Sequence, residues 1–208
     1  MIQNTAKVYE NLTLFIVMIL YGLFMPETAS AQAAVAEPAA RTAEKKSSPD
    51  MSNAQKIALA MSAGPAEIAK NATIIDMNTM KQLRAGSNGW VCYASIDQPM
   101  CLDKQWQAWA KAWMSKSEPK IEDTGIAYML AGDTGGSNVD PYAKKPTPDN
   151  QWVISPAHLM VLLQDPKMLD SYPTDPMNGG PWVMWKGTPY AHLMVPVSPT
   201  RMATISSK

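Results

Sequence analysis

Reactive and diagnostic side chains are scarce in this sequence. Its 208 residues include two cysteines, two histidines and two phenylalanines. The cysteines, Cys92 and Cys101, lack the Cys-x-x-Cys spacing of a redox pair or a thiolate metal site. Lys+Arg and Asp+Glu are level at 18 each, so no basic surplus points to nucleic acid and no acidic block to a solvating tail. Charged residues make up only 17%, below the usual quarter of a soluble domain. Long apolar runs are also missing. The run at residues 12–25 falls short of the ~18–20 residues that a membrane-spanning helix needs, and no second run follows. Gly135-Gly136-Ser137-Asn138 lacks the Gly-Lys-Ser/Thr ending of a P-loop, and no Gly-x-Ser-x-Gly nucleophile elbow occurs.

Methionine and proline are plentiful, at 16 and 17. Methionine fills irregular cores and also ligates soft metals, so its excess supports two readings. Residues 1–31 have the layout of a secretory signal peptide: Lys7 as a modest positive start, the apolar run, Pro26 as breaker and Ala29-Ser30-Ala31 before the cut. The alternative is an uncleaved anchor. Removing this segment leaves 17 basic and 16 acidic side chains, still nearly neutral. Residues 32–50, mostly Ala, Glu, Lys, Ser and Pro, cannot bury enough apolar surface to offset ordering and form a disordered tether. A single domain is expected over 51–208, periplasmic or secreted, with no membrane span after signal cleavage.

Within that domain, Ser52-Asn53-Ala54-Gln55 has capping-box spacing ahead of a short helix, and Gly64-Pro65 ends it and starts another. Residues 73–77 and 90–93 form strands. In an exported chain Cys92 and Cys101 form a disulfide, whose short loop contributes roughly 2–3 kcal/mol on the chain-entropy model. Asp103 caps a helix over 104–116, with Trp106, Trp109 and Trp113 on one face. That stripe is either core or a stacking platform.

The sharpest feature is a repeat. Ala157-His158-Leu159-Met160-Val161 and Ala191-His192-Leu193-Met194-Val195 share five letters, and they contain both histidines of the sequence. Read as strands, with side chains alternating between faces, each pentamer puts its His and Met on one side. If the two strands are neighbours, His158, His192, Met160 and Met194 form a plausible copper site, because imidazole and thioether suit Cu(I). Zinc would need another donor, and Asp133 qualifies by type alone. The bland alternative is a pair of hydrogen-bonded histidines with core methionines.

Between these elements lies a long turn-rich stretch at 132–150. Loops of this length often bind ligands, which makes Asp133, Ser137, Asn138, Asp140 and Tyr142 candidate ligand-binding residues for a small molecule. Asp133 and Asp140 suit a hard cation by type, but their spacing fits no EF-hand. A hydrolase would combine Ser137 or Ser155 with His158 or His192 and an Asp, though no motif selects among these. A third reading is a structural or partner-binding protein of the envelope.

The runs Leu83-Arg84-Ala85-Gly86-Ser87-Asn88-Gly89-Trp90-Val91-Cys92 and Pro99-Met100-Cys101-Leu102-Asp103 carry a resemblance. So do Thr147-Pro148-Asp149-Asn150 and residues 180–192, Gly-Pro-Trp-Val-Met-Trp-Lys-Gly-Thr-Pro-Tyr-Ala-His. Together they resemble a family of exported bacterial proteins of uncharacterised activity, over residues 56–197. The resemblance implies export and assigns no catalytic residue. The expected fold is α+β: a mostly antiparallel sheet with a few short helices on one face and one disulfide.

Overall fold

A computed structural model describes residues 51–198 and 203–205. The expected signal peptide over 1–31 and tether over 32–50 lie outside the described residues. Ser52 caps α1 (Asn53–Met61) through a reciprocal capping box, its hydroxyl accepting from Gln55 N–H while the Gln55 side chain accepts from Ser52 N–H. A short α2 (Ala66–Ala69) follows. Asp103 caps α3 (Lys104–Met114), accepting from Trp106 N–H at 2.9 Å, and its second oxygen accepts from Ile126 N–H.

The strands are β1 (Thr73–Asp76), β2 (Gln82–Arg84), β3 (Val91–Ala94), β4 (Met100–Leu102), β5 (Gly125–Met129), β6 (Gly136–Ser137), β7 (Trp152–Ile154), β8 (His158–Leu162), β9 (Trp182–Met184), β10 (His192–Pro196) and β11 (Ala203–Ile205). Eight of them form one sheet in the order β2-β1-β3-β4-β5-β8-β10-β9, and β11-β7-β6 form a second, small sheet. Only β1 and β3 pair in parallel among the described strands. The molecule is thus α+β with a mostly antiparallel sheet, and Cys92 and Cys101, opposite each other on β3 and β4, form the disulfide. The sequence reading put the helices on one face, whereas they divide between two. Cys101 and Leu102 are consecutive residues of β4 and point to opposite sides. Ala60 and Ala63, on α1 and just beyond it, pack with Cys101, Cys92 and Ile74, while Trp106 and Trp109 of α3 pack with Leu102.

The Cys101 side is built from small residues at close range. A Cβ on Gly64 would lie 2.8 Å from Cys101 Sγ, so only glycine lets the chain leave α1 this near the disulfide. The other side is aromatic and thioether-rich: Trp106, Trp109, Trp182, Met129, Met160, Met184 and Met194 are all buried there. The small sheet contributes Val153 to the same cluster. It also brings close contact of its own, for Gly135 has φ +123° and a Cβ there would collide with the Trp152 indole. The stretch at 132–150, read from sequence as structureless, therefore contains β6, which ties it to β7.

Candidate functional site

Alternation fixes what the repeated pentamers do. Strands β8 and β10 are antiparallel neighbours, with Met160 directly opposite Met194 and His158 opposite Pro196. The pairing is symmetric about the two methionines, so the identical sequences give the site a local pseudo-twofold. His158, Met160, His192 and Met194 all lie on the α3 side of the sheet. Two further methionines join them through the outer pairings: Met129 of β5 stands opposite His158, and Met184 of β9 opposite His192.

Both rings are held in the same way. His158 Nδ1 lies 2.7 Å from the Pro156 carbonyl oxygen and His192 Nδ1 lies 2.9 Å from that of Tyr190, in each case the residue two positions upstream. A carbonyl only accepts, so Nδ1 donates and the neutral ring keeps its lone pair on Nε2. Both Nε2 atoms are buried and have no hydrogen-bond partner. The side chains are 0% and 1% exposed, and burial pushes both pKa values down to about 4. The carbonyl contacts oppose that shift, and for His192 the neighbouring His158 adds a smaller repulsion. Near neutral pH both are therefore uncharged bases. An unmet buried acceptor costs about 1–3 kcal/mol, which is why such groups call for an explanation.

Indole rings enclose one of the two. The centroid of His192 lies 5.2 Å from Trp106, 5.7 Å from Trp109 and 5.0 Å from Trp185, each at a steep edge-on angle. Trp185 stacks on Trp109 at 5.7 Å, and its Nε1–H donates to Ser137 O at 2.7 Å. Its backbone has φ +57°, a left-handed conformation that a bulky side chain adopts only when its surroundings enforce it. Here the Asn138 carbonyl enforces it by accepting from Trp185 N–H.

The candidate ligand loop is turned inward at Ser137 and Asn138, which are buried, while Asp140 and Tyr142 stay exposed. Asp133 accepts from Ser155 N–H, and burial raises its pKa to about 6. Ser137 Oγ donates to Asn150 O and accepts from the N–H groups of Val139 and Asp140. Asn138 donates to Gln151 and Thr174 and accepts from Trp182 Nε1–H. Asp140 accepts from Tyr142 N–H, and Tyr142 Oη–H donates to Trp113 O. These groups fasten the loop over the site. The structure brings His158, His192, Met160 and Met194 to one face and leaves Asp133 bonded to Ser155. A surface cleft of about 390 Å³, lined by Trp152, Thr174, Asp175, Met177 and Thr204 among others, includes neither histidine nor the loop residues named above.

Reading from sequence missed Met129, Met184 and Trp185. Only the register between strands reveals that Met129 and Met184 each stand opposite a histidine. The positive φ of Trp185 has no signal beyond its place next to Lys186-Gly187. Among the described residues no helix is long and apolar enough to cross a membrane, and no three His, Cys, Asp or Glu side chains cluster as a metal site. No protein-family model matches the chain, and no curated protein or solved structure is significantly similar to it.

Proposed function

We propose that this protein is an exported metal-binding module that takes up Cu(I) on the face formed by His158, His192, Met160 and Met194. The observation that carries the reading is the pair of orphaned Nε2 atoms. Metal-binding histidines donate their other ring N–H to a carbonyl or carboxylate, which fixes the tautomer and the ring. Both histidines here have that arrangement, with the donor nitrogen free and soft thioethers on the same face. The donor set is neutral, and a monovalent soft ion is the cation such a set accommodates at the smallest cost of burial. The indoles of Trp106, Trp109 and Trp185 line the His192 end of that face. The disulfide suits an oxidising compartment, in keeping with a periplasmic or secreted destination.

A hydrolytic reading has less support. Neither imidazole is hydrogen-bonded to a hydroxyl or a carboxylate, and Ser137 is used in a turn. Copper content decides the matter. Untagged protein from copper-supplemented cells should retain copper under reducing, anaerobic dialysis, and a His158→Ala, His192→Ala double variant should lose it. Equal copper in both would end the reading, and labelling by a fluorophosphonate probe would revive the hydrolase.

A further inference from the structure

We propose that the face holds two Cu(I) ions, each on one imidazole and two thioethers: His158 with Met129 and Met160, and His192 with Met184 and Met194. The inference rests on the copper reading and divides its site. Four residues of register separate the histidines, because His158 pairs with Pro196 while the pairing that carries Met160 to Met194 would carry Leu162 to His192. At a rise of about 3.4 Å per residue that is on the order of 13 Å along the strands. Each ring is tethered by its Nδ1–H to a carbonyl two residues upstream, on the side away from the paired methionines. A single ion bridging both Nε2 atoms at about 2 Å from each would need them within about 4 Å of one another, far less than the separation of the two strand positions.

Register gives each histidine two methionines at strand positions closer than that of the other histidine. One is two residues further along its own strand, on the same face: Met160 for His158 and Met194 for His192. The other is directly opposite on the outer neighbouring strand, Met129 or Met184, a position where Cβ atoms lie about 4.5–5.5 Å apart. The pseudo-twofold that relates the pentamers thus generates two equivalent sets of one nitrogen and two sulfurs. All four methionines are at least nine-tenths buried, so they are packed into the same interior as the free nitrogens. Cu(I) accepts such low-coordinate, sulfur-rich surroundings. The two sets differ in their walls, since the indoles of Trp106, Trp109 and Trp185 surround His192.

The test is an anaerobic titration of the full chain with Cu(I) in competition with bicinchoninate, following tryptophan fluorescence in parallel. The variants are Met129→Leu and Met184→Leu, near-isosteric exchanges that a core tolerates and that remove only the sulfur. Wild type should bind two equivalents, and each variant should retain one tight equivalent and weaken the other at least tenfold. Quenching of tryptophan should persist in Met129→Leu and fall sharply in Met184→Leu. One equivalent in wild type, unchanged in both variants, overturns the two-ion arrangement and leaves a single site. Two equivalents that ignore both substitutions also overturn it. No binding at all removes the copper reading itself.

Discussion

The two ends of the large sheet solve the same problem differently. At the β1–β4 end, Ala60, Ala63, Ala69 and Ala72 let α1 and α2 approach the strands closely around the disulfide. Polar groups there have partners: Arg84 donates to the carbonyls of Ala69 and Ala72, and buried Asp76 accepts from Lys56 at 2.6 Å. At the β5–β8–β10–β9 end, α3 lays large indoles over methionines and histidines. Among the described residues four buried side-chain nitrogens there lack partners: Nε1 of Trp106 and Trp109 and both histidine Nε2 atoms. Local rules of polar satisfaction hold in one half and are broken together in the other. Clustered violations of that kind are where function is expected, because a purely structural core would have shed them.

The largest effect should come from the half with the large rings. Trp106→Ala removes one of the two largest fully buried side chains among the described residues and should destabilise by about 3–5 kcal/mol in urea unfolding. Replacing both Cys92 and Cys101 by Ala should lower stability by about 2–3 kcal/mol at the other end, while leaving Cu(I) stoichiometry unchanged. If copper binding fell with the disulfide, the division between a stabilising half and a binding half would be wrong.

Acid should act chiefly on the aromatic half. The histidines have folded pKa values of about 4, below their unfolded value, so from pH 6.5 down to 4 the unfolded chain takes up two protons that the native metal-free protein refuses. Asp133, raised to about 6, works in the opposite sense over the same range, since the folded state keeps a proton the unfolded state releases. The net difference is one proton, and stability of the metal-free protein should fall by about 1.4 kcal/mol for each pH unit lost between 6 and 4. Asp133→Asn should roughly double that slope, and urea unfolding at several pH values checks both. The smallest change should be Ser52→Ala, which removes the capping box of α1 at a cost of about 1 kcal/mol and leaves copper binding unaltered.

Much of this fold was legible because its cues are local. Asp103 and Ser52 mark helix starts by side-chain chemistry within three residues, and the pentamers read as strands from alternation alone. What escaped is non-local. Strands of two or three residues such as β6 and β7 have no periodicity to detect, and the parallel β1–β3 pairing joins segments whose sequences say nothing of each other. The split of helices between faces depends on which way each crossover turns. The site was half legible for the same reason: each His-x-Met face follows from alternation, but Met129 and Met184 enter only through register.

The copper proposal makes metal donors of the two buried Nε2 lone pairs. Nitrogen-15 NMR of histidine-labelled protein, before and after anaerobic addition of Cu(I), reads those atoms themselves. Both Nε2 resonances should move strongly on copper addition, while both Nδ1 sites stay protonated. If the Nε2 signals stay where they are in the presence of excess Cu(I), the histidines are core residues and the copper assignment is wrong.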